Sequence, residues 1–139
     1  MRVLRYSQYS TKDQLAMIQF KVNLLEKELE LLRKFSPPVV GSLILSSDGF
    51  PLAEDLPDGF GEEQAAAKAS AILALAERIA FELRRGNLKQ ILLSAEAGYV
   101  IVTLINKHAA LAVLCQERAK VAMVLLDIAY TVEKLRQFL

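Results

Sequence analysis

Three short runs, LKQILLSA (88–95), YVIVTLI (99–105) and LAVLC (111–115), constrain the fold more than any other feature, because they are apolar on both alternate faces. Ile101 and Ile105 fall on one side of the second run, and Val100, Val102 and Leu104 on the other. Successive strand side chains point to opposite faces, so neither face of this sheet can be left in water. Such a sheet needs helices on both sides.

The rest of the chain supplies them. Leu15, Ile18, Val22, Leu25, Leu29 and Leu32 recur at spacings of three and four, which predicts an amphipathic helix over 11–35 that Ser36-Pro37-Pro38 terminates. The same spacing fits a coiled-coil seam, so part of this helix is open to another helix rather than the sheet. Residues 1–10 show no period and read as an N-terminal tail. The stretch SLILSSDGFPLAED (42–55) reads as a hairpin, with strands over 39–46 and 50–54 about the Asp48-Gly49 turn. Pro51 cannot donate to a ladder, which puts the second strand at an edge of the sheet. A second helix follows, with Glu62 and Glu63 suited to its first turn, Arg84 and Arg85 to its last, and Gly86 to its stop. The final helix spans about 118–138, with its stripe at Val121, Leu125, Ile128, Val132, Leu135 and Leu139. The order is helix, two strands, helix, three strands, helix, in which two helices cover one face and one the other.

On a helical wheel the middle helix has a stripe, Ala65, Ala69, Ile72, Ala76, Ile79 and Leu83, expected against the sheet. A second apolar line, Ala66, Leu73 and Ala80, lies beside it. The side expected to point outward carries Ala67, Ala74 and Phe81 beside Ser70, Glu77, Arg78 and Arg85. Alanine is the best helix former, so its abundance alone is no evidence of burial. Phe81 and Leu73 add nothing to propensity, however, and argue that the helix is covered on more than one side. The apolar fraction of 53% and mean hydropathy of +0.28 also exceed what 139 residues hide comfortably in a lone subunit. The third strand, with Leu88, Gln90 and Leu92, reads as an unprotected edge that invites pairing with another chain. A twofold dimer joined at that edge brings Ala66, Leu73 and Ala80 against their counterparts.

Reactive chemistry is not in evidence. A net charge of +1 with mixed signs suggests neither nucleic acid nor a membrane surface as partner. There is no GxxxxGK[ST] loop, and one histidine (His108) with one cysteine (Cys115) is too few for a metal site or a catalytic pair. The acidic stretch Glu54-Asp55-Leu56-Pro57-Asp58 lacks the alternating ligands of a calcium loop and reads as solvated. No cofactor is expected and the chain is not read as an enzyme. A single cysteine rules out a disulfide framework, and neither a membrane span nor a signal peptide is apparent, so the expected location is cytoplasmic.

Several residues taken together resemble the roadblock family, which includes dynein light chain roadblock proteins and bacterial polarity regulators. They are Val39-Val40-Gly41 entering a strand, the Asp48-Gly49 hairpin, the alanine-rich helix ending at Gly86-Asn87-Leu88, the Gly98 turn, and Leu111-Ala112-Val113-Leu114. The resemblance covers about residues 24–139. It implies an α+β fold with a five-stranded antiparallel sheet, one helix on one face and two on the other, dimerised through the middle helix and third strand. The sequence departs from the pattern in a first helix longer by about a dozen residues. It also lacks the glycine often found at the entry to the last helix, Glu117 to Ala122.

The resemblance further implies a homodimeric partner and regulator of a Ras-like small GTPase, with acceleration of hydrolysis, by repositioning the GTPase's own residues, as one mode of regulation. Ala67, Ser70, Ala74, Glu77, Arg78, Phe81 and Arg85 would then be the GTPase-binding platform. Arg78 alone does not make an arginine finger, since an exposed helical arginine is usually solvated or ion-paired. The competing reading is a dimeric scaffold in which the long first helix recruits something else. A ligand-sensing domain ranks last, because no convergent polar cluster marks a site.

Overall fold

The computed structural model describes residues 10–139; the expected tail lies outside the described residues except for Ser10. Ser10 belongs to the first helix, as its N-cap: its Oγ accepts from the backbone N–H of Asp13 at 3.1 Å, satisfying one of the four donors a helix start leaves free. Helix α1 then runs Thr11–Phe35 and stops where the two prolines require. The remaining elements are β1 (Val39–Ser46), β2 (Pro51–Asp55), α2 (Glu62–Glu82), β3 (Gln90–Ala95), β4 (Gly98–Leu104), β5 (Ala109–Gln116) and α3 (Val121–Leu135).

The strands form one antiparallel sheet in the order β2-β1-β5-β4-β3. Its edges are β2 and β3. Pro51 is the first residue of β2, opposite Leu45 and beside a register shift between Ile44 and Leu45, so its missing N–H breaks no ladder. Gly49, at φ +89°, turns the β1–β2 hairpin. Gly98, at φ +147°, opens β4 so close to β5 that a Cβ there would lie 2.0 Å from the Cys115 carbonyl oxygen.

Each face of the sheet has its own core. On one face α1 and α3 pack together: Leu25, Leu29 and Leu32 of α1 and Val124, Ile128, Val132 and Leu135 of α3 meet Ile44, Ile101, Leu111 and Val113. Each such side chain contributes roughly 1.5–3 kcal/mol by leaving water. On the other face α2 is alone, with Ala66 and Leu73 against Leu43, Leu45, Val102, Ala110 and Ala112. Glu28 of α1 faces Lys134 of α3 at 3.8 Å, and Phe35 meets the ring of Tyr130 edge-on at 6.1 Å, so the two helices run antiparallel. Arg33 ties α1 to the edge strand through Asp55, Nε to Oδ2 at 2.7 Å. Among the described residues no helix is long and apolar enough to cross a membrane.

Three expectations need correction. The helix ends at Glu82, so Arg84 and Arg85 lie beyond its last turn, and Arg84 itself takes the left-handed conformation at φ +57°. The sheet-facing line of α2 is Ala66–Leu73, and not the stripe containing Ile79 and Leu83, which are exposed. Ala66 and Leu73 are 0% and 6% exposed within their own chain and so have no surface to offer a twin. The two lines are adjacent on the wheel and both apolar; the small Ala66 and Ser70 decide between them by letting α2 close down on the β1–β2 turn, where Ser70 Oγ donates to the Ser47 carbonyl at 3.3 Å. Burial along α1 begins only near Leu25, leaving Leu15, Ile18 and Phe20, on the part of the helix that its spacing left open to another helix, exposed on an overhang past the end of α3.

Candidate functional site

Because α2 packs on β1 and β2, it leaves the β3–β4 half of its face of the sheet uncovered. One flank of α2 therefore looks into an apolar groove of about 490 Å³. Ala65, Ala69 and Ile72 form its helical wall, Ile91, Leu93 and Val100 its floor, and Phe60 and Leu56 its end. The flank continues toward the C-terminus as exposed Ile79 and Leu83, while Leu75 is exposed on the crest of the helix, between the two flanks. Small residues thus line the first half of this flank, and large ones project from the second.

The opposite flank carries the residues read as a platform. Ala67, Ala74, Glu77, Arg78, Phe81 and Arg85 are exposed and Ser70 is half-buried. Phe81 is 77% exposed, the most exposed of the large hydrophobic side chains among the described residues. Beneath this flank a smaller cleft of about 220 Å³ lies between Ser70, Ala74 and Glu77 and the turns holding Ser47 and Asn106. Arg78 is held by Glu82 one turn on, Nε to Oε1 at 3.0 Å, and Arg85 donates to the Leu83 carbonyl at 3.1 Å. Both pairings are exposed and exchange readily with another acceptor.

The remaining interface residues divide by position. Ala80 is half-buried, and Leu88 is half-buried against the α2-side core. Gln90 and Leu92 are exposed on the free edge, opposite Thr103 and Ile101 and thus on the α1–α3 face. Ile91 and Leu93 alternate onto the groove side. The edge strand therefore offers apolar side chains on both faces, beside a row of main-chain groups with no neighbour on one side.

Neither reactive side chain joins this site. Burial pushes the Cys115 thiol up to about 11, so it stays protonated and inert at neutral pH. His108 sits in the β4–β5 turn, where its backbone N–H donates to Asn106 Oδ1 at 2.8 Å. No group of three or more metal-ligating side chains lies together among the described residues.

Sequence reasoning missed the groove, because it is built from ordinary core residues and carries no polar signal. It also missed the outer face of α3, where Met123, Leu126 and Tyr130 are exposed. The signal was present, since those three recur at spacings of three and four with no charge among them.

Comparison with known proteins gives a consistent result. The model of the Roadblock/LC7 domain family matches residues 25–115. Two uncharacterized proteins of Methanocaldococcus jannaschii are each 34% identical over 64 residues, 46% of this chain and 56% of theirs, so the match spans little more than half of either relative. Among solved structures, the Roadblock/LC7 domain from Streptomyces avermitilis superposes with a TM-score of 0.76 at 21% identity, covering 81% of this chain and 95% of that one. The gliding protein MglB from Thermus thermophilus superposes with a TM-score of 0.77 at 19% identity, covering 85% and 90%. At these identities the structural likeness speaks for the fold.

Proposed function

We propose, from the premise that this chain belongs to the Roadblock/LC7 domain family, that it is a homodimeric, non-enzymatic partner and regulator of a Ras-like small GTPase. The observation that carries the reading is the pair of opposed flanks on α2. The groove flank is self-complementary: Ala65, Ala69, Ile72, Ala76, Ile79 and Leu83 are spaced four, three, four, three, four, which reads the same in both directions. Two such helices laid antiparallel about Ala74 place Ala65 of one copy opposite Leu83 of the other, Ala69 opposite Ile79, and Ile72 opposite Ala76. Small faces large at each outer layer, the condition for close packing. The same twofold carries the two β3 edges toward each other, where Gln90 and Leu92 sit, and removes the free edge.

The other flank, with Phe81 as its aromatic anchor and Ala67, Ser70, Ala74, Glu77, Arg78 and Arg85 around it, then serves the GTPase. Regulation follows if the flank binds one nucleotide state better than the other, since a partner shifts an equilibrium only by its differential affinity. Acceleration of hydrolysis additionally requires tighter binding to the transition state than to the ground state. The test is light scattering of the protein alone and with candidate Ras-like GTPases loaded with GDP or a GTP analogue, together with phosphate release. Binding that depends on the nucleotide supports the reading; no binding in either state ends it.

The second reading, a scaffold without effect on nucleotide hydrolysis, is favoured by the α1 overhang, where Leu15, Ile18 and Phe20 stand exposed on turns that the family match does not include. Deleting residues 1–23 separates the two. Because burial begins at Leu25, the deletion leaves the fold standing. Loss of a bound partner with an intact dimer favours the scaffold, and retained GTPase binding favours the regulator.

A further inference from the structure

The α1–α3 layer carries an apolar surface that neither α2 pairing nor the platform uses. Helix α3 buries Val124, Ile128, Val132 and Leu135 on its inner side, yet its outer side is equally apolar: Met123, Leu126 and Tyr130 are 62%, 72% and 57% exposed, with Ala122 and Ala129 exposed beside them. A helix that is hydrophobic all round belongs in an interior. Between Lys120 and Glu133 the one charged residue is Asp127, which is half-buried at the rim of this outer face, beside Met123.

We infer that this face pairs with the same face of a second copy, α3 against α3, independently of the α2 contact. The spacing supports an identical partner over a foreign one. Antiparallel pairing centred on Leu126 sets Ala122 and Met123 of each copy against Tyr130 and Ala129 of the other, small against large at both layers, with the Met123 sulfur in reach of the Tyr130 ring. The charges at the C-terminal end of the patch are paired: Glu133 is held by Arg136 at 2.7 Å, and Lys134 lies 4.7 Å over the Tyr130 ring and 3.8 Å from Glu28. Phe35, 44% exposed and in edge contact with Tyr130, extends the patch onto α1. The exposed side chains add up to on the order of 600 Å² per copy, somewhat below the ~800 Å² of a standard stable interface, which predicts a concentration-dependent association.

Mass measured by light scattering over a concentration series tests the pairing on wild type, Leu126→Glu and Ile79→Glu. The wild type is expected to pass from dimer to tetramer as concentration rises. Leu126→Glu, a change at an exposed position that leaves the fold intact, is expected to stop at the dimer, and Ile79→Glu to lose the α2 contact while still pairing through α3. As a second readout, Leu126→Cys placed at the twofold is expected to give a covalent dimer on mild oxidation, which requires Cα atoms within about 7 Å. A Leu126→Glu profile identical to wild type, or no crosslink through Cys at position 126, overturns the α3 pairing. If Ile79→Glu behaves as wild type while Leu126→Glu becomes monomeric, the α2 dimer fails and the α3 pairing stands.

Discussion

The two apolar lines of α2 have opposite fates, and a pair of alanine substitutions separates them. Leu73 is 6% exposed and contacts the α2-side core; Ile79, two turns on, is 47% exposed over the groove flank. Buried Leu→Ala changes cost about 2–5 kcal/mol, the spread reflecting how far the site can collapse or admit water. Leu73 borders the cleft by Ser47, so water reaches the vacated space and the lower part of that range applies, about 2.5 kcal/mol. For a chain of this size that amounts to a fall in Tm of about 8 °C. Ile79→Ala removes surface that is half in water already, and costs the isolated subunit less than about 1 kcal/mol. The dimerisation proposed above would add a concentration-dependent contribution, which only Ile79→Ala is expected to lose. The assay is therefore urea unfolding at a low and a high protein concentration. Leu73→Ala should shift the midpoint equally at both, whereas Ile79→Ala should shift it chiefly at the higher. A neutral Leu73→Ala, or an Ile79→Ala as costly as it at low concentration, would refute the orientation of α2 derived above.

Three further outcomes are expected. Gly98→Ala forces a Cβ to within 2.0 Å of a backbone oxygen at φ +147°, and should cost more than about 3 kcal/mol, read as loss of folded yield or a collapsed urea midpoint. Cys115 is protonated in the fold, with its thiol pushed from 9.0 up to about 11; its contribution to stability is full below pH 9 and lost as pH rises toward 11, so the urea midpoint of the wild type should fall over that interval and that of Cys115→Ala should fall less. Phe81→Ala should weaken GTPase binding about tenfold or more by removing the aromatic anchor, with no change in self-association by light scattering.

The sheet was legible because its constraints are local. Strands β3 to β5 read as doubly apolar runs, and Pro51 fixed an edge through an N–H it does not have. Gly49 and Gly98 mark turns that demand positive φ. The long α1 was legible through its stripe and its prolines. The face of α2 was not, since Ala65 and Ala66 are neighbours of identical chemistry, and the choice rests on how closely Ser70 and Ala67 approach Gly49 across the hairpin turn. That is a tertiary fact with no local trace. Arg84 and Arg85 likewise look like a favourable last turn, but the chain leaves the helix first, at Leu83. The platform residues do share one flank, as their periodicity requires, yet that flank lies opposite the groove and not on the crest of the helix.

This placement bears on how many GTPases the proposed dimer would hold. In the antiparallel pairing proposed for α2, the two Phe81 side chains sit seven residues either side of the twofold, about 20 Å apart along the helices at 1.5 Å per residue. Across the pair, two helices packed 8–10 Å apart with platform flanks facing away from each other add about 20 Å more, for a separation of roughly 30 Å. A Ras-like domain of about 170 residues is on the order of 40 Å across. Because the two flanks face apart, domains seated on them point away from each other and neither reaches the other. The expected stoichiometry is two GTPases per dimer, one on each flank, with Phe81→Ala weakening both sites and Leu75→Glu, exposed on the crest between the flanks, silent. Titration calorimetry reads this directly: saturation at one GTPase per chain fits the geometry. Saturation at half a GTPase per chain, with Leu75→Glu disruptive, would mean that a bound GTPase leans over the crest between the helices and excludes the second.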